Sequence, residues 1–223
     1  MSWLGSAAVI ARKDLTLELR TRDVVSSVGL FVLLVVVTAS FALPLEGSGR
    51  EGMTAGVLWM AFLFAGLLGM GRSMAIEDEE GCLAGLLVSP APREGIFLGK
   101  LASNLAFTAV VEALMVPLFI ALLQLHVGAP ALLVVSIVLG TLGILTIGTL
   151  FAAIAVGTRG REAILPLLVL PVSVPIVTAA VKTTEFALKG TWGGAPAWLL
   201  LMIGFDALFV LVALATFPYV TEG

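Results

Sequence analysis

Residues 131–157 read ALLVVSIVLGTLGILTIGTLFAAIAVG, a run without one Asp, Glu, Lys or Arg. About 20 apolar residues cross the hydrocarbon core of a bilayer as a helix, and strands rarely exceed eight residues. The stretch therefore predicts a transmembrane helix, Ala131 to Gly157. Working outward, His126-Val127-Gly128-Ala129-Pro130 is a turn signal, and it separates this span from a second long one, Leu101 to Leu125. Cutting the rest at charges and turns gives Val24 to Leu45, Met53 to Gly71, Ala163 to Val181 and Ala197 to Phe217. The expected architecture is one all-α integral membrane domain over residues 1–223 with six transmembrane helices. Its non-spanning parts are an N-terminal segment 1–23, a cytoplasmic loop 72–100 and an external loop 182–195.

Composition agrees. Of 223 residues, 60% are hydrophobic and 12% charged, with mean hydropathy +1.14, whereas a soluble domain carries about 25% charged residues. One Tyr, one His and one Cys leave little for metal sites or His-based catalysis, and a single thiol allows no internal disulfide. The net charge of -3 gives no reason to expect nucleic acid. In such a chain the placement of charge carries more than its sum.

With the N-terminus in the cytoplasm, the inside segments hold Arg12, Lys13, Arg20, Arg22, Arg72, Arg93, Lys100, Arg159 and Arg161. The outside loops hold Arg50, Lys182 and Lys189. Nine against three places both termini on the cytoplasmic side. The first span is too long for a signal-peptide core, so no cleavage is expected.

Ahead of that span, Trp3, Ala7, Ala11, Leu15 and Leu19 recur every four residues, the pattern of an amphipathic helix in the interface. It serves as a lipid anchor or as a lever that docks a cytoplasmic partner. In the loop 72–100 an acidic cluster, Glu77, Asp78, Glu79 and Glu80, leads into Gly81-Cys82-Leu83-Ala84-Gly85-Leu86-Leu87-Val88-Ser89 before Pro90 and Pro92 stop it. Cys82, Leu83, Leu86 and Leu87 share one face of a helix too short to span. Such a face docks in a groove on a partner or packs on the chain's own helices. Farther along, Gly95-Ile96-Phe97-Leu98-Gly99-Lys100-Leu101 has three residues between its glycines and no Ser or Thr after the lysine, so it fails as a phosphate-binding loop. ATP hydrolysis would have to come from another chain.

Glu112 and Asp206 fall near the midplane of their spans, where an acid costs roughly 2.5 to 3.5 kcal/mol to insert. They read either as two neutral acids hydrogen-bonded across the third and sixth spans or as a substrate path or proton relay. Ala61, Ala65, Gly69 and Ser73 form a small-residue stripe suited to intramolecular packing or to a homodimer seam. Pro166, Pro171 and Pro175 predict a bent or broken fifth span, and the external loop after it could form a partly re-entrant turn. His126 and Cys82 read as an interfacial polar residue and a small apolar one.

These features together are similar to the membrane subunits of ABC-2 type exporters. More narrowly, Ala11-Arg12-Lys13-Asp14-Leu15 with Arg20, Gly71-Arg72-Ser73, Glu80-Gly81-Cys82-Leu83 with Leu86-Leu87-Val88-Ser89-Pro90, Gly99-Lys100, and Val111-Glu112 with Pro117-Leu118-Phe119 resemble the CcmB family. That family is the haem exporter protein B permease of cytochrome c maturation. The resemblance implies an ABC-2 permease fold and a non-catalytic subunit. A separate CcmA-like ATPase, carrying ATP and Mg, would dock on Glu77 to Glu80, Gly81, Cys82, Leu83, Leu86, Leu87 and Pro90, with Arg12, Asp14 and Arg20 at the N-terminal interface. Further partners implied are CcmC-like and CcmD-like membrane subunits and a CcmE-like haem chaperone. Haem would belong to the complex and not to this chain, whose spans are poor in His and Tyr. The chain departs from many members at Ala84, where an acid is common; Glu77 to Glu80 would supply that charge.

Two other readings stand beside this one. An ABC-2 permease for a lipid or drug shares the architecture, and an ion-coupled carrier would use Glu112 and Asp206. No inverted repeat of the kind common in such carriers is visible, and no paired nucleophile and base marks an enzyme.

Overall fold

Asp14 and Lys100 are 86 positions apart in the chain, yet a computed structural model of the protein joins them as an ion pair of 2.9 Å. It describes residues 3–21, 23–43, 47, 49–79, 92–155 and 161–220, with side chains over a slightly smaller set. Among these residues the chain is all-helical: α1 Trp3–Thr21, α2 Asp23–Ala42, α3 Arg50–Glu79, α4 Arg93–Leu122, α5 Pro130–Ala155, α6 Arg161–Lys189 and α7 Ala195–Val220. Five carry stretches long and apolar enough to cross a membrane, in α3 to α7, while α2 offers a shorter apolar stretch, Val28–Ala42.

α5 is the axis of the bundle and touches α3, α4, α6 and α7. Its own residues explain why. A Cβ on Gly140 would overlap the indole of Trp59 in α3, and one on Gly148 would overlap Met70, so α3 lies closer than side chains would allow. Between these contacts, α5 offers hydroxyls. Ser136 donates to the Ala180 carbonyl and shares a hydrogen bond with Thr184, both at 3.1 Å, and Trp59 Nε1 donates to the same Thr184 hydroxyl at 2.9 Å. This node ties α3, α5 and α6 in a medium that offers no water to replace it.

α2 packs against α3 and α4. It buries Val28, Val32, Val36 and Ala39 and exposes Leu30, Leu33, Leu34, Val37 and Phe41, so both its faces are apolar. In the small-residue stripe of α3, Ala61 and Ala65 are buried within this one chain, which is the intramolecular alternative.

Three expectations are corrected. At the two edges of the segment 72–100 the helices run on, α3 continuing to Glu79 and α4 beginning at Arg93; helical hydrogen bonding does not end where the apolar stretch does. Likewise α6 runs to Lys189, reducing the connection expected over 182–195 to 190–194. Finally, the fifth span is not broken: α6 is continuous through Pro166, Pro171 and Pro175, because a helix packed on several neighbours tolerates the lost bonds that would break an isolated one.

At the turn end, Gly190 has φ +71, and a Cβ on Gly128 would lie 2.5 Å from its Cα. The two turns therefore meet backbone to backbone, sealed by Ala129 N–H donating to the Ala187 carbonyl at 2.9 Å.

The Gly140–Trp59 approach makes a direct test. Gly140→Val should lower stability in detergent by about 1 to 3 kcal/mol through overpacking. Gly204→Val, on α7 where a Cβ meets nothing within 4 Å, should leave the thermal midpoint nearly unchanged.

Candidate functional site

At the end of the bundle that holds both termini, the first turns of α4 collect contacts from two other helices. α1 lies against α4 along Ser6, Ile10 and Asp14, with Ser6 and Ile10 buried. Gly99 makes the fit possible: a Cβ there would sit 2.8 Å from the Ile10 Cβ and 3.0 Å from the Ala7 carbonyl oxygen. Directly beyond it, Lys100 reaches Asp14, with side-chain exposures of 2% and 11%. Ser103 donates to the same carboxylate at 3.2 Å and to the Lys100 carbonyl at 2.9 Å. Lys13 flanks the carboxylate at 3.2 Å from its more exposed position.

α7 is fastened to the same turns. Arg93 donates to the Pro218 carbonyl at 3.2 Å, and the Phe97 and Phe217 rings lie 5.4 Å apart. A displacement of the amino end of α4 would therefore carry α1 and α7 with it.

The sequence-based residues divide around this junction. Asp14 is at its centre, whereas Arg12 is exposed beside it. Arg20 is in α1 and Glu77, Asp78 and Glu79 end α3, but their side chains are outside the described residues. Glu80, Gly81, Cys82, Leu83, Leu86, Leu87 and Pro90 are also outside them. The sequence alone does not mark Lys100, Ser103 and Gly99 as site residues. The signal available was a lysine at the very edge of an apolar span, a cation that must find an anion. The face of α1 also differs from the expected one: it centres on 6, 10 and 14, one position before the 3-7-11-15-19 stripe. A strict four-residue repeat drifts around a helix of 3.6 residues per turn, so it marks a face only approximately.

Inside the bundle Glu112 accepts a hydrogen bond from the Thr141 hydroxyl of α5. One end lower, Asn104 Nδ2 donates to Thr149 at 3.1 Å. Asp206 is 5% exposed with no hydrogen-bond partner for either oxygen among the described residues, and a Cβ on Gly143 would meet its Oδ1 at 2.6 Å. The expected bond between Glu112 and Asp206 is thus not made. Thr141 and Gly143 are two residues apart and point to opposite sides of α5, which places that helix between the acids.

The family model described as CcmB protein matches residues 6–221. The chain belongs to the CcmB family. The match covers the α1–α4 junction and both buried acids. Curated relatives named heme exporter protein B include that of Rhodobacter capsulatus, 33% identical over 160 residues, 72% of this chain and 73% of that one. The Paracoccus denitrificans protein is 32% identical over 189 residues, covering 85% and 84%. That of Bradyrhizobium diazoefficiens is 25% identical over 208 residues, covering 93% and 94%. As a CcmB-family chain with five helices able to cross a bilayer, it is a multi-pass membrane protein.

The buried pair predicts an asymmetry. Asp14→Leu strands the Lys100 ammonium and should cost about 3 to 5 kcal/mol. The double variant D14L/K100M should regain most of this, since well-packed apolar pairs replace buried ion pairs at little cost. Thermal unfolding of the three variants in detergent gives the coupling.

Proposed function

We propose that this chain is the permease subunit of an ATP-driven complex in cytochrome c maturation, a non-catalytic part that converts movement of a separate ATPase into haem delivery outside the membrane. The family match over residues 6–221 carries this reading, together with relatives named heme exporter protein B. The junction supports it physically. Residues 80–91 lead straight into α4, whose first turns hold α1 and α7, so a force on that segment reaches three helices at once.

In this reading the fold is of the ABC-2 type with six crossings. α2 supplies the first: its 20 residues span about 30 Å at 1.5 Å each, the thickness of the hydrocarbon core, and its two apolar faces suit one side against the bundle and one against lipid. The terminal end faces the cytoplasm by the excess of basic residues there. A CcmA-like ATPase holds ATP and Mg and docks on Glu77 to Pro90, with Arg12, Asp14 and Arg20 beside it. CcmC-like and CcmD-like subunits and a CcmE-like chaperone handle the haem. Glu112 serves as an interhelical hydrogen-bond acceptor; its bond to Thr141 and its separation from Asp206 by α5 give an ion-coupled carrier no paired acids.

Pull-down of the tagged chain from gently solubilised native membranes should bring an ATPase and haem-handling membrane proteins. An ATPase without them would point to an exporter of other cargo. Leu86→Asp and Gly81→Asp should each reduce ATPase recovery at least about tenfold, a loss of roughly 1.4 kcal/mol or more, with membrane insertion intact. Glu112→Gln and Asp206→Asn should retain haem delivery; its loss in an assembled complex would favour the carrier.

A further inference from the structure

We propose that the cavity at the turn end of the bundle binds the headgroup of a zwitterionic aminophospholipid, its phosphate against Arg50 and its ammonium against Glu51. The cavity has a volume of about 340 Å³ and is lined by Arg50, Glu51, Gln124, His126 and Lys189 with Leu125 and Leu188. That volume is within the range of small-molecule sites.

Its depth identifies the class of ligand. Arg50 begins one candidate span, Leu122 ends another and Lys189 ends a third, so the cavity sits at the level where hydrocarbon gives way to headgroups. Trp192, half exposed in the adjoining turn, is the residue type that marks this level. Leu125 and Leu188 in the lining offer apolar surface to an acyl chain. A soluble ligand would not need this combination.

Charge identifies the headgroup. Arg50, Lys182 and Lys189, the three basic residues assigned to external loops, all gather at this end. Glu185 holds both lysines, at 3.0 Å and 2.6 Å, and Glu51 lines the cavity with Lys189. Arg50 alone faces no carboxylate among the described ion pairs. One amino group of its guanidinium is used on the Leu123 carbonyl, which fixes the fork and leaves its other donors for a phosphate. His126 and Gln124 can add hydrogen bonds. Glu51, with the carboxyl end of α4 nearby, supplies the negative side that an ammonium requires and that a purely anionic headgroup would not use. Gln124 adopts φ 49, a strained backbone for a side-chain-bearing residue that the site retains.

Native mass spectrometry of the detergent-purified, delipidated protein tests this by adding back phosphatidylethanolamine or phosphatidylglycerol. The wild type should retain phosphatidylethanolamine over phosphatidylglycerol. Arg50→Gln should weaken retention of both by about tenfold, one charge-assisted hydrogen bond's worth. Because Arg50 also holds the α4 carboxyl end, Glu51→Gln is the second variant: it should abolish the preference for phosphatidylethanolamine while phosphatidylglycerol is still retained. Equal retention of the two lipids by the wild type, or an unchanged preference in Glu51→Gln, would overturn the proposal. So would loss of haem delivery in Arg50→Gln with its lipid retention unaltered, since the cavity would then serve cargo.

Discussion

An ammonium at 2% exposure in a bundle this apolar must have an anion, and the anion Lys100 has is Asp14. Desolvating both charges is expensive, and the attraction repays it only when the geometry is good and remaining valences are filled. Here Ser103 fills one and Gly99 lets α1 approach to the necessary distance. The pair therefore does little for net stability compared with two packed leucines; what it fixes is registry. α1 can meet α4 in many apolar registers, but in only one does Asp14 reach Lys100.

The same logic of few, specific polar contacts in an apolar medium organises the bundle around α5. Read as sequence, residues 131–157 are uniform; folded, they alternate between glycines that admit large neighbours and hydroxyls that bind them. Gly140, Gly143 and Gly148 receive Trp59, Asp206 with Ile176, and Met70. Ser136, Thr141 and Thr149 bind Thr184, Glu112 and Asn104. Lipid and side chain are equally apolar, so hydrophobicity cannot choose among helix partners. Close approach and hydrogen bonds choose.

This explains what was legible beforehand. The existence of the long helices was readable because charge placement alone decides it, and the N-terminal helix because its periodicity is strong. Helix ends were not: the positions of Glu79, Arg93 and Lys189 depend on backbone hydrogen bonding that continues beyond the apolar stretch. The pairing of Lys100 with Asp14 and of Glu112 with Thr141 was hidden because sequence spacing carries no information on which helices become neighbours. The resemblance carried by Asp14, Gly99-Lys100 and Glu112 nevertheless pointed to these positions, without saying that the first and third touch α4 and α5 so differently.

The two ends of the molecule differ in how they are closed. At the turn end, backbone meets backbone at Gly128 and Gly190, which joins the starts of α5 and of the turn after α6 with almost no side-chain freedom, and the Arg50 side chain bonds the Leu123 carbonyl just beyond α4. At the terminal end α7 is held through side chains, a single Arg93 hydrogen bond to Pro218 and one aromatic contact, while α1 is held by the close approach at Gly99 and by the Asp14–Lys100 pair. Contacts through long side chains accommodate rotation that backbone contacts do not. The tie between α5 and α6 at the turn end is therefore less yielding than the tie between α4 and α7 at the other.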